Sequence, residues 1–184
     1  MTILQFGTLP VPRTTAWSGE NQFFVAPCRW ANGALAVCQN EAPGVGKPTF
    51  AKPHSQRQRQ AIAEALCDLC GQSLRNRTKV SLSHANIRTN GALGPAILQV
   101  EPMLHRSCAA TSIRYCPSLR RDISAGTLRV WQVTQYRTQV AILRPETVAI
   151  YVPGHVPMPG QVVCGHGKIE LLNWRLRDEE WLTR

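Results

Sequence analysis

The sequence predicts an α+β fold that is rich in β-strand and carries few short helices. Three observations predict it. Thirteen Gly and thirteen Pro among 184 residues punctuate the chain with turns, which favours short strands over long helices. Apolar runs of strand type recur towards both ends, "FFVAPCRW" and "ALAVCQNE" near the start, then "TLRVWQVT", "TQVAILR" and "TVAIYV". Clear helical spacing is confined to the middle, after Ser55 and after His105. A hydrophobic share of 43% argues against a disordered chain, and no apolar run approaches the length that spans a bilayer.

In residues 1–46, a β-hairpin region, the first two runs flank Ala31-Asn32-Gly33, a turn signal. A loop centred on Gly33 sets Cys28 opposite Cys38, and a two-residue Asn-Gly turn offsets them by one. The stretch "PGVGKPTFAKPH" reads as a linker. Its "GVGKPT" fails as a phosphate loop, because position 41 is Glu and Pro48 follows Lys47. A helix then starts with Ser55 as cap and Gln58 completing a capping box, and Ile62, Ala65, Leu66 and Leu69 form its apolar face. Residues 47–122 make a second section and residues 123–184 a C-terminal β-rich one. In the latter, the runs flanking Gln135-Tyr136-Arg137 read as a hairpin and "TVAIYV" as a further strand. "GHVPMPGQ" reads as a loop, and "KIELLNWRL" as a strand or the start of a terminal helix.

Charge singles out the middle section. The net charge is +10, and residues 47–121 hold twelve Lys/Arg against three acids. A basic section of this kind favours phosphate-rich or acidic partners. The residues placed to contact phosphate are Arg57, Arg59, Arg75, Arg77, Lys79, Arg88 and Arg106. Only Phe50 and Tyr115 are aromatic there, so base stacking has little support. The N-terminus lacks a basic start and its apolar stretch is broken by Gly and Pro, which makes it a poor signal peptide. A cytoplasmic location is therefore expected, where thiols stay reduced and clustered cysteines are more often metal ligands than disulfides.

The same section carries metal-site spacing. In "ALCDLCGQSL", Cys67 and Cys70 stand two residues apart with Gly following, as in a zinc knuckle or a redox pair. "LHRSC" supplies His105 and Cys108 at the same spacing, at the entrance of a helix continued by Ala109, Ala110 and Ile113. A redox pair needs no second pair, so the four residues point to tetrahedral zinc. Two-residue spacing lets both members of a pair converge on one ion, and a helix N-terminus favours thiolate over thiol. Cys116 lies eight residues along that helix, roughly 12 Å from Cys108, too far to share the ion. A knuckle, a β excursion and a pair at a helix start form the treble-clef pattern. The expected architecture is thus β-rich with a central treble-clef-like zinc module. Cys28, Cys38, Cys164 and His166 form a less regular second set, for which scattered buried cysteines are the simpler reading.

The run "CDLCGQSL", "SLSHAN" and "LHRSC" resembles the HNH-type treble clef. The resemblance covers roughly residues 66–116. It implies a zinc-framed ββα unit with His84 in the position of the general base. Ser83 stands where the family has an acid, and Ala109 and Ser112 stand where it has a further ligand. A catalytic metal then lacks its holders, which favours a non-catalytic relative over an enzyme. The longer run "GKPTFAKPHSQRQRQAIAEALCDLCGQSL" is similar to small zinc proteins of bacteriophages and prophages, which implies a mobile-element origin, a host-cytoplasm setting if phage-encoded, and no defined activity. The functional expectation is a zinc-stabilised basic protein contacting nucleic acid. The alternatives are a phage protein–protein interaction factor, either a virion component or an inhibitor of a host defence system, and a degenerate HNH-type nuclease.

Overall fold

The computed structural model describes residues 3–83, 88–89, 95–156 and 158–184. His84 lies outside the described residues. The fold is α+β and β-rich, as the sequence predicts, with 40% strand against 24% helix.

A curled sheet organises the chain. Its path runs β10 (Leu104–His105), β7 (Lys79–Ser83), β11 (Arg129–Leu143), β12 (Val163–Arg177), β5 (Leu35–Gln39) and β4 (Phe23–Pro27). Strand β9 (Pro95–Gln99) also pairs with β12, and β8 (Arg88–Thr89) pairs with β9. Two small pairs lie apart: β1 (Leu4–Phe6) with β2 (Leu9–Val11), and β3 (Thr15–Trp17) with β6 (Pro48–Pro53). The helices are short: α1 (Ser55–Ala63), α2 (Arg106–Tyr115), α3 (Pro117–Ser124), α4 (Pro145–Tyr151) and α5 (Glu180–Thr183). Among the described residues none is long and apolar enough to cross a membrane.

The main core lies where the inward face of the sheet meets the start of α2. Val80, Val130, Val133, Ile169 and Leu171 pack there with Cys67, Leu74, Cys108 and Ala109. Burial of a Val, Leu or Ile side chain is worth about 1.5–3 kcal/mol. Cys67 and Cys108, one member of each pair, are therefore built into the main core.

Several local expectations give way. Residues 129–143 form one continuous strand, not a hairpin about Gln135-Tyr136-Arg137. Irregularities at Val133/Gln135, Gln135/Tyr136 and Val140/Ile142 let it follow the curl. "TVAIYV" is helical rather than extended. Pro145 sits at the first turn of α4 and Glu146 is the acid that suits a helix start. "KIELLNWRL" is strand throughout, within β12. In the first hairpin, Phe24 rather than Cys28 stands opposite Cys38, and Pro27 pairs with Leu35. The loop between contains a 3₁₀ turn at Arg29–Ala31, longer than either predicted turn.

Helix α1 starts one residue earlier in function than expected. Its cap is His54, whose Nδ1 accepts the Arg57 N–H at 3.3 Å. Burial lowers the His54 pKa, and Arg57 adds to this, so the ring is neutral. Nε2 then serves as the donor to the Asn40 carbonyl at 3.2 Å. Gln58 takes no part in a capping box: it donates to the carbonyls of Val100 and Gly167 and accepts the Gly167 N–H. The helix ends at Ala63, because Ala65 turns left-handed (φ 53°) and opens the knuckle. Leu66 and Leu69 belong to that turn and do not extend an apolar helical face.

Candidate metal centre

The knuckle is a tight turn closed by backbone bonds. The Cys67 N–H donates to the Gln72 carbonyl and the Gly71 N–H to the Cys67 carbonyl, each at 2.8 Å, and Leu66 bridges Ser73. Gly71 has φ 70°, and a Cβ there would come within 2.3 Å of Arg13 Cδ. Only glycine meets both conditions without strain. Arg13 lies over the turn because its N–H donates to the Asp68 carbonyl at 2.8 Å. The Asp68 N–H in turn donates to the Met103 carbonyl at 2.9 Å, which sets the knuckle beside the strand that ends in His105.

Strand β10 runs straight into α2, and His105 is the cap residue of that helix. Cys108, one turn in, therefore shares its side with His105. The ligand atoms of Cys67, Cys70, His105 and Cys108 all lie within 4.8 Å of one another. His105 Nδ1 is 3.4 Å from Cys70 Sγ and 3.9 Å from Cys108 Sγ. A tetrahedral zinc with its usual bonds has S···N edges of about 3.6 Å. The donor set thus fits one tetrahedral metal ion.

Outer contacts prepare the set. His105 Nε2 is 3.1 Å from the Ser73 carbonyl, an acceptor that places the proton on Nε2 and leaves Nδ1 to bind metal. The Cys67 thiol is lowered to about 5, first by a hydrogen bond from Cys108 and then by backbone N–H groups of Cys70, His105 and Leu69. Cys108 moves the other way, raised by that same bond to Cys67 and by burial. Burial also raises Cys70. A bound zinc would hold all three sulfurs as thiolates.

The second set is not gathered. Among the described residues the only close group of His, Cys, Asp or Glu is the one above. Cys28, Cys38 and Cys164 share a small apolar cluster with Ala31 and Ala36. Cys116 sits at the joint of α2 and α3, apart from the metal group.

The basic residues separate into two groups, and this corrects part of the phosphate-contacting set. Arg57 and Arg59 are interior, 4% and 1% exposed. The Arg57 guanidinium pairs with both carboxylate oxygens of Glu20, at 2.5 and 2.7 Å. Arg59 donates to the carbonyls of Gly165 and Val37 at 2.9 Å each, and to Cys38 Sγ at 3.6 Å. Neither guanidinium is free for a phosphate. Arg75, Arg77 and Arg106 instead line a cleft of about 880 Å³ with His105. Arg184 lines it too, a residue the sequence reading passed over; α5 carries it back against α2, where its carbonyl accepts Arg106 Nη2 at 2.6 Å. Trp181 supports this edge, with the guanidiniums of Arg106 and Arg177 over its ring at 4.9 and 5.3 Å. No Asp or Glu lines the cleft, although Glu180 pairs with Arg184 at its rim. Lys79 lies beside it, its Nζ on the Arg77 carbonyl at 3.3 Å. Arg88 is placed only as part of β8. Comparison with family models, with curated proteins and with solved structures yields no significant match.

Proposed function

We propose that the chain is a zinc-stabilised basic protein that contacts nucleic acid through the cleft beside its metal centre. One observation carries the reading: a cleft lined by Arg75, Arg77, Arg106 and Arg184, with no acid in its lining, shares His105 with the metal group. Cations gathered in one cleft, with only Arg184 paired to a carboxylate at the rim, suit a row of phosphates. The start of α2 points the same way, with no acid in its first turn and no side-chain cap. The order of knuckle, strands and helix-borne pair supports a treble-clef-like module as the frame. In this proposal the zinc holds shape and performs no chemistry. A phage or prophage protein acting in its host's cytoplasm is the setting proposed.

Fluorescence anisotropy of labelled DNA and RNA, measured across salt, tests it. Binding at low salt should weaken steeply as salt rises. The Arg75→Ala/Arg77→Ala/Arg106→Ala variant should bind weakly with a flatter slope, by about 0.7–0.9 per lost phosphate contact. Absence of binding to either nucleic acid at low salt overturns the reading.

A second reading, a protein-interaction factor, is favoured by a separate feature. Ile142, Ile150, Val156 and Met158 are 68–84% exposed on and around α4. Apolar exposure of that extent marks contact surfaces. A stable stoichiometric complex isolated from the host, lost in Ile150→Asp, would favour it.

A further inference from the structure

A second cavity, of about 660 Å³, shares no lining residue with the basic cleft. Its walls come from separate elements: Phe50 on β6, Leu69 on the knuckle, Val100 after β9 and Tyr115 at the end of α2. Small-molecule sites run from about 300 to 1,000 Å³ and are mostly apolar with a few placed polar groups. This one fits on both counts. The pocket is open to solvent on one side, so a small molecule could enter it. Phe50, Val100 and Tyr115 remain 50%, 37% and 37% exposed while facing it.

The polar groups choose the occupant. Asp68 lies deepest of the charged groups, next in the chain to the buried Cys67 and Leu69. Among the described residues its carboxyl accepts one hydrogen bond, from Thr14 Oγ1. Glu101 stands at the mouth, and the cations Lys52 and Arg121 are exposed at the rim. A carboxyl short of donors inside an apolar chamber is complementary to a donor-bearing head on an apolar body.

We propose that this cavity binds a small amine, its apolar body held by Phe50, Leu69, Val100 and Tyr115 and its amino group donating to Asp68. The site is separate from the nucleic-acid cleft and is read without nucleic acid. The test titrates the zinc-loaded full chain with 2-phenylethylamine and with 3-phenylpropionate, a probe of similar body and opposite head, following chemical shifts by NMR. The amine should saturate one site, and the acid should bind at least tenfold more weakly. Val100→Trp, which fills the chamber from a half-exposed position, should weaken the amine at least tenfold with zinc content unchanged. Should that variant fail to fold, Phe50→Ala at an exposed position should weaken the amine severalfold. Asp68→Asn should remove the preference for amine over acid. No saturable amine binding overturns the proposal. So does equal binding of the two probes, or an affinity unaffected by the chamber variants.

Discussion

Two groups of cysteines sit in this molecule, and they differ in how their sulfurs are placed. Cys67, Cys70, His105 and Cys108 bring their ligand atoms within 4.8 Å of one another. Cys28, Cys38 and Cys164 share a small apolar cluster, and the buried guanidinium of Arg59 donates to Cys38 Sγ at 3.6 Å. The first group has one thiol lowered to about 5. In the second, burial raises Cys38 and Cys164 despite Arg59, and burial together with Arg59 lowers His166. Paired spacing on a turn and at a helix start gathers four ligand atoms that could hold one metal ion.

The largest expected effect separates the groups directly. Cys70→Ser or Cys108→Ser should abolish zinc binding and remove stability on the scale of the whole fold, about 5–15 kcal/mol. Cys38→Ala or Cys164→Ala should keep the zinc and lose only about 1–2 kcal/mol of packing. Elemental analysis with denaturant unfolding reads both. Loss of zinc from Cys164→Ala would break the comparison.

The second group was harder to foresee because its decisive residue is an arginine. In the sequence Arg57 and Arg59 read as phosphate contacts at a helix start. Their burial depends on Glu20 and on carbonyls of Val37 and Gly165, contacts 22 to 106 residues away. No local pattern encodes that. The Cys67, Cys70, His105 and Cys108 cluster was legible because its geometry is local: two residues of spacing, a glycine, a helix entrance. The β-rich class was legible from Gly, Pro and alternation. Segment "TVAIYV" misled because its β-branched content favours strand, while Pro145 and Glu146 fix a helix start. The basic cleft is half legible: Arg75, Arg77 and Arg106 stand in the basic middle of the sequence, whereas Arg184 joins only through the packing of α5.

The buried cations sharpen the contrast further. Arg57→Met strands Glu20 as an unpaired interior charge and should cost about 3–5 kcal/mol, measured by urea unfolding with zinc retained. Acid should act on the same pair. Burial alone would raise the Glu20 pKa, but hydrogen bonds from Arg57 and from the N–H groups of Trp17 and Ala42 hold it below its ordinary value of 4.5. Its folded pKa lies below its unfolded one. The stabilisation is therefore full above about pH 4.5 and is lost as pH falls through the folded value. Glu20→Gln should be less stable at neutral pH and lose less on acidification, as read by unfolding from pH 6 to pH 3. An unchanged acid slope would remove Glu20 from the account.

The smallest effect tests the knuckle turn. Gly71→Ala forces a left-handed residue and displaces Arg13, and should cost about 1–2 kcal/mol without loss of zinc.

The central claim is that four residues hold one zinc ion while the other cysteines hold none. Zinc per chain, measured on the purified protein together with X-ray absorption at the zinc edge, tests it most directly. The account predicts one zinc in a shell of three sulfurs at about 2.3 Å and one nitrogen at about 2.0 Å. Two zincs per chain, no zinc, or a shell without three sulfurs would contradict it.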